Sequence, residues 1–313
     1  MATEISERAT EKKPDKKSDI LLESGTNELE VMEFTVAGRH FGINVAKVTE
    51  IMRYSEVTPM PNANPVIEGI FKPRDEIVTV VDMAEYMGMP KPENHDREVF
   101  IITNFNKTSM AFHVHTVEAI HRISWTQIEK PDPAIYGSED GLATGVANFD
   151  GRLITILDFE KILAEINPTI KAELKDVRKT GDRSGKRILV ADDSPTLERI
   201  LLEALEKAGY SDVMLCANGQ EAWDKLQELK NNEGPVENYI SCVVTDIEMP
   251  QMDGHRLIKL IRADEALKDI PVIVFSSLIT PDMMDKGRQI GATLQFSKPE
   301  IANLISAVDQ LFS

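Results

Sequence analysis

Ser241-Cys242-Val243-Val244-Thr245-Asp246-Ile247-Glu248-Met249-Pro250-Gln251-Met252-Asp253-Gly254 decides the fold of the C-terminal half. The run Ile240 to Thr245 has the length and Val content of a buried strand, and it stops at a carboxylate. Outward from it, strand-like runs recur at Arg187 to Ala191, Asp212 to Cys216, Val272 to Phe275 and Thr293 to Ser297, alternating with amphipathic stretches. That alternation predicts a parallel sheet, here a five-stranded, doubly wound α/β domain over residues 186–313. Ser194-Pro195 starts the first helix, with Leu197, Ile200, Leu201 and Leu205 on its inner face, and Gly209 ends it. Thr280-Pro281 starts the fourth helix in the same way.

Open parallel sheets gather functional groups beyond the carboxyl ends of their strands. Those ends deliver Asp192 and Asp193, Asp246, Ser276 and Ser277, and Lys298 before Pro299. A single Asp at such a place is ordinarily a cap or turn residue. Three carboxylates at one edge repel one another and invite a hard divalent cation with oxygen ligands, which favours Mg²⁺. Lys298 and a Ser hydroxyl add the donors that hold phosphoryl oxygens.

From Lys186 to Ser313 these residues resemble the CheY-type response-regulator receiver family: an acidic pair after strand one, Asp246 followed by Met249-Pro250 and Asp253-Gly254, a hydroxyl residue after strand four, and Lys298-Pro299 after strand five. The resemblance implies a flavodoxin-like fold with Asp246 as phosphoacceptor, taking its phosphoryl group from a partner's phosphohistidine. It implies Mg²⁺ held by Asp192, Asp193, Asp246 and the backbone carbonyl of Glu248, with Ser276 as the switch hydroxyl and Lys298 on the phosphate. Three positions before Lys298 the family usually has an aromatic switch residue. This chain has Gln295 there, so coupling through a Ser and an aromatic rotamer does not operate in that form.

Residues 28–168 have a different texture. Short β-rich runs lie at Val31 to Val36, Arg39 to Ile43, Ile77 to Val81, Val99 to Asn104, Ser109 to Val114, Gly145 to Ala147 and Leu153 to Leu157, and Asp150-Gly151 is a strong type I′ hairpin signal. Gly69-Ile70 followed by Ile77-Val78-Thr79-Val80-Val81-Asp82 returns as Gly145-Val146 followed by Leu153-Ile154-Thr155-Ile156-Leu157-Asp158, each with a helix-like stretch behind it. An all-β pair of tandem small barrels explains a two-copy repeat better than a solenoid does. No phosphate loop or nucleophile elbow occurs here. His113 and His115 would share one strand face. That spacing is compatible with a metal, but it reads better as a solvated face, with no paired acid nearby in sequence.

Phe34-Thr35-Val36, Phe41-Gly42-Ile43, Lys47-Val48-Thr49-Glu50-Ile51, Thr58-Pro59-Met60-Pro61, Gly69-Ile70, Arg74 and Val80-Val81-Asp82 resemble the CheW family of chemotaxis coupling domains, and the match continues through Asp150-Gly151-Arg152-Leu153 to Leu157-Asp158. Members join methyl-accepting chemoreceptors to the CheA histidine kinase. The resemblance implies partner contact for Arg74 and for Glu50, although the family's Arg-Gly turn reads Arg74-Asp75 here. A CheW-like domain followed by a receiver is the CheV-type architecture. It implies an adaptor, not a turnover enzyme, in the cytoplasm at receptor arrays, tuned by phosphorylation of Asp246. One alternative is a sink that drains phosphoryl groups from CheA. Another, an aspartyl-phosphate phosphatase of the haloacid-dehalogenase type, would carry an Asp two positions after the nucleophile, where this chain has Glu248.

The net charge of −17 over 313 residues divides almost evenly between residues 1–185 and 186–313, so neither half offers the basic surface that nucleic acid needs. No apolar run is long enough to insert in a membrane, and the charged start at 1–27 reads as a disordered tail rather than a secretory signal. Residues 169–185 read as a polar linker. Cys216 and Cys242 lie in strand-like runs and suggest a reducing compartment.

Overall fold

A computed structural model describes residues 28–92, 95–105, 108–129, 141–166, 177, 183, 185–232, 234–277, 279, 281–298 and 300–312. The expected tail, nearly all of the expected linker, the Thr280 cap and Pro299 lie outside them.

The N-terminal domain runs β1 (Glu28–Val36), β2 (Arg39–Asn44), β3 (Val48–Arg53), β4 (Ile67–Phe71), β5 (Val78–Asp82), α1 (Met83–Tyr86), β6 (Val99–Phe105), β7 (Thr108–Val114), β8 (Thr116–Ser124), β9 (Ile128–Glu129), β10 (Ala143–Phe149), β11 (Arg152–Leu157) and α2 (Phe159–Ile166). Its strands divide into a six-stranded sheet, β8-β1-β2-β11-β10-β9, and a five-stranded sheet, β3-β6-β7-β5-β4. One core joins the two sheets: Phe34, Phe41 and Ile43 meet Val81, Ile101 and Phe112, and the Phe159 ring stands edge-on to Phe34 and Phe112. Each such buried ring contributes about 1.5–3 kcal/mol relative to exposure.

The internal repeat has a structural cause. Gly69 and Gly145 each sit at a register shift where an antiparallel pair, β4 with β5 or β10 with β11, is bulged. At either glycine a Cβ would collide, with the Thr58 carbonyl in one copy and the Ile128 side chain in the other. Asp82 and Asp158 then stop the second strand of each pair by capping a helix, accepting from the backbone N–H of Glu85 (3.0 Å) and Lys161 (2.9 Å). The turn between β10 and β11 is the expected one, with φ of 50° at Asp150 and 84° at Gly151.

Strands β3, β4, β8 and β9 were not legible as runs. β3 puts Val48, Glu50 and Met52 on its half-buried face and Thr49, Ile51 and Arg53 on its exposed one, so neither face is apolar, and β8 leaves Ile120 exposed.

The C-terminal domain runs β12 (Arg187–Ala191), α3 (Pro195–Ala208), β13 (Asp212–Cys216), α4 (Gly219–Lys230), β14 (Cys242–Thr245), α5 (Gly254–Ala263), β15 (Val272–Ser276), α6 (Pro281–Gln289), β16 (Leu294–Ser297) and α7 (Ile301–Leu311). All pairings are parallel, in the order β13-β12-β14-β15-β16. Helices cover both faces. Leu201, Leu205 and Leu304 pack on Ile188, Val190 and Val244 on one side, and Leu226, Leu257 and Ile261 on Leu189, Val243 and Val274 on the other. Ser194 accepts from Leu197 N to cap α3, and Gly209, at φ 102°, ends it. Among the described residues no helix is long and apolar enough to cross a membrane.

Candidate functional site

Asp246 leaves β14 at the middle of the sheet, its backbone N–H bonded to Ala191 O at 2.9 Å. Its Oδ1 accepts from Ile247 N at 2.6 Å, and its Oδ2 lies 2.8 Å from Lys298 Nζ. The Asp253-Gly254 pair supports this loop. Asp253 caps α5 through Arg256 N, and a Cβ on Gly254 would strike the Asp246 carbonyl oxygen. Lys298 arrives at the end of β16, its backbone N–H held by Ser276 O at 3.0 Å. Its ammonium also reaches Asp192 Oδ2 at 2.7 Å. All three side chains are buried.

Burial pushes the Asp192 carboxyl up to about 7, because the neighbouring Asp246 and Glu160 add to it and Lys298 only partly offsets it. Burial likewise raises Asp193, which stands in a cleft of about 580 Å³ beside Asn44, Lys47 and Glu160. Burial also lifts Glu248 to about 7, and its Oε2 has no hydrogen-bond partner. An oxygen-only set of crowded carboxylates, with ligand atoms of Asp192 and Asp246 within 4.8 Å of one another, fits a hard divalent cation.

A residue from the other domain completes the cluster. Glu160, on α2, places a carboxylate oxygen within 4.8 Å of ligand atoms of both Asp192 and Asp246. Burial would raise its pKa, but Lys298 and Lys47 outweigh that and hold it at about 2. Two hydrogen bonds flank it across the domain boundary: Asn44 Nδ2 donates to Glu248 Oε1 (3.0 Å), and Ser194 Oγ donates to Asp158 Oδ2 (3.0 Å). Neither domain's pattern announced this meeting. The one local signal is that α2 buries Glu160 and Lys161 as well as Phe159 and Ile162, more faces than its own domain needs.

Ser276 is buried at the end of β15, while the hydroxyl that reaches Glu160 belongs to Ser277, at 2.6 Å. Gln295 points its amide at Met284 O (2.7 Å) and leaves its Oε1 without a partner, packed where only a glycine, Gly287, fits beneath it.

Arg74 and Glu50 form a second location. Arg74 follows β4 and bonds Glu50 of β3 at 2.9 Å. β3 and β4 are opposite ends of the sheet order, so this contact requires the sheet to curl on itself as a barrel does. Arg74 is 77% exposed, and Ile51 and Ile77 nearby in sequence are exposed too. The solvated face expected at His113 is corrected. His113 is buried, with Nδ1 2.7 Å from Glu68 and Nε2 3.0 Å from Glu98, while His115 lies beyond β7 and accepts from Ala37 N. The acids that pair with His113 are distant in sequence and adjacent in space.

Residues 30–167 match the CheW-like domain family and residues 188–309 the response regulator receiver domain family. Chemotaxis protein CheV3 of Helicobacter pylori (strain ATCC 700392 / 26695) is 30% identical over 288 residues, 87% of this chain and 91% of that protein. CheV2 of the same strain is 29% identical over 275 residues, 82% of this chain and 83% of that protein. CheV1 is 25% identical over 305 residues, 91% and 93%. With one such relative aligned along most of both chains, and with both domains present in the same order, this protein belongs to the CheV-type chemotaxis coupling proteins.

Proposed function

We propose that the coupling domain joins chemoreceptors to a CheA-type histidine kinase at receptor arrays, and that phosphorylation of Asp246 tunes this coupling. The observation that carries the reading is the buried set Asp246, Lys298 and Asp192 at the carboxyl edge of a parallel sheet, in one chain with a CheW-like domain. In the transfer, an Asp246 carboxylate oxygen bonds to phosphorus while the P–N bond of the donor phosphohistidine breaks, its electron pair staying with the imidazole. Lys298 orients the Asp246 carboxylate and neutralises charge on the phosphoryl oxygens. Asp192, Asp193, Asp246 and the Glu248 carbonyl would hold Mg²⁺, which supplies further charge neutralisation there. Ser276 is the expected switch hydroxyl. Arg74 and Glu50, beside exposed Ile51 and Ile77, are the expected partner-facing residues of the coupling domain.

The test is labelling of the full chain with phosphorylated kinase or acetyl phosphate. One phosphoryl group should appear, lost in Asp246→Asn and lost in EDTA. Undiminished labelling of Asp246→Asn would remove the reading.

A further inference from the structure

Glu160 belongs to the coupling domain, yet its carboxylate is buried inside the receiver's acidic site. Its Oε1 accepts from Ser277 Oγ at 2.6 Å and from Lys47 Nζ at 3.2 Å, and its Oε2 lies 3.4 Å from Lys298 Nζ. That ammonium is the one that also holds Asp246. A lysine ammonium and a hydroxyl after the fourth strand are the donors that a phosphoryl group on Asp246 would require for its oxygens. A phosphoryl group brings about −1.5 to −2 charge and three acceptor oxygens. Among side chains, a carboxylate is the closest stand-in for it.

We propose that Glu160 occupies the place of the phosphoryl oxygens, so that docking of α2 on the receiver and phosphorylation of Asp246 exclude each other. The inference rests on Asp246 being the phosphoacceptor and names how that site is regulated. A phosphoryl group bonded to Asp246 would claim Lys298, the ammonium Glu160 now shares, and leave Glu160 buried beside a second anion, a placement that costs far more than exposing it. Among the described residues, two side-chain hydrogen bonds also fasten the boundary, Asn44 to Glu248 and Ser194 to Asp158, with Glu248 and Ser194 on loops that flank Asp246 and Asp193. Such a contact has two discrete outcomes, docked or released. By linkage, whatever factor docking takes from phosphorylation, phosphorylation takes from docking. The released domain would expose α2, Lys47 and Asn44 to partners.

The experiment uses the full chain with acetyl phosphate and Mg²⁺, where Asp246 forms an O–P bond as the acetyl P–O bond breaks and acetate leaves with the electron pair. Glu160→Ala should label at least about fivefold faster than the unaltered chain, and Glu160→Gln, which keeps an acceptor for Ser277 but no charge, should fall between them. Asn44→Asp guards against a folding artefact. It keeps the acceptor for Ala46 N, loses the donor to Glu248 and sets like charges together, so it should also accelerate labelling. Hydrogen exchange over residues 155–166 should quicken in both Glu160→Ala and Asn44→Asp before any phosphodonor is added, and in the unaltered chain after labelling. Equal labelling rates in all four proteins, with label confined to Asp246, would overturn the capping while leaving the receiver reading intact. So would a labelled chain whose 155–166 segment stays protected. Label that survives Asp246→Asn would instead overturn both.

Discussion

The two copies of the repeat in the coupling domain share a bulge glycine and a capping Asp but differ in the turn between their strands and in what their helices touch. In the first copy Gly69 bulges the strand pair, Asp82 caps α1, and the position two residues after the cap is Ala84, buried in its own domain. Asp82 is also held by Lys91 of the same domain at 2.8 Å. In the second copy Gly145 makes the bulge, Asp158 caps α2, and the matching position is Glu160, which pairs with Lys298 and Ser277 of the receiver. The repeat thus fixes the bulge and the cap, while in the second copy Glu160, where the first has Ala84, and the cap Asp158 both reach the receiver. The strand pairing is equivalent as well: β5 runs parallel to β7, and β11 parallel to β2.

The bulge glycines give the largest expected effects and a direct way to break the equivalence. Gly69 has φ 154° and would drive a Cβ into backbone, so Gly69→Ala should cost about 3 kcal/mol or more of coupling-domain stability. At Gly145 the obstacle is a side chain, Ile128, and not backbone, so Gly145→Ala should cost less, about 1–3 kcal/mol. Denaturant unfolding of the two variants measures the difference. Equal costs would mean that the two bulges are not held in the different ways described.

The caps sharpen the comparison. Asp82→Ala and Asp158→Ala should each remove about 1 kcal/mol through loss of a helix cap. Only Asp158→Ala should also change hydrogen exchange in residues 192–198, because only Asp158 bonds Ser194 across the domain boundary. Matching exchange in both variants would contradict the asymmetry.

A pH effect belongs to the first copy's sheet. His113 starts from an ordinary value of 6.5. Burial lowers it, but Glu68, Glu98 and Asp82 outweigh that and hold it above 6.5. A histidine raised on folding stabilises fully below its unfolded value and loses that contribution as pH rises through the folded one. Thermal stability of the coupling domain should therefore decline as pH climbs from about 6.5, and His113→Gln should flatten that slope. A slope unchanged by the substitution would show that His113 and its acid partners do not set it.

The smallest expected effect on stability is at Arg74. As an exposed partner of Glu50, Arg74→Ala should change unfolding stability by less than about 0.5 kcal/mol. Binding to receptor tips or kinase should weaken by about 1–2 kcal/mol, measured by titration of the same variant. A falling melting temperature with unchanged binding would make Arg74 a structural residue.

What the sequence made readable follows from range of interaction. The βα alternation, the Ser194-Pro195 start, the Gly209 stop and the Asp150-Gly151 turn are local, and each stands where its residues place it. The strand-end residues Asp192, Asp246 and Lys298 were legible because a parallel sheet brings its carboxyl ends together by topology alone. β3 and β8 were not, since a strand whose faces are only half covered carries little apolar alternation. His113 misled for a related reason: its neighbours Glu68 and Glu98 come from other parts of the sheet. Glu160 was out of reach because its partners lie in a different domain, more than a hundred residues away in the chain.

Phosphorylation-tuned coupling is tested most directly in a reconstituted array of receptor, CheA-type kinase and the full chain. Kinase activity is read before and after addition of acetyl phosphate, with the unaltered chain and with Asp246→Asn. The expected result is that the phosphodonor changes kinase activity at least about twofold with the unaltered chain and leaves it constant with Asp246→Asn. An identical response with both proteins would contradict it.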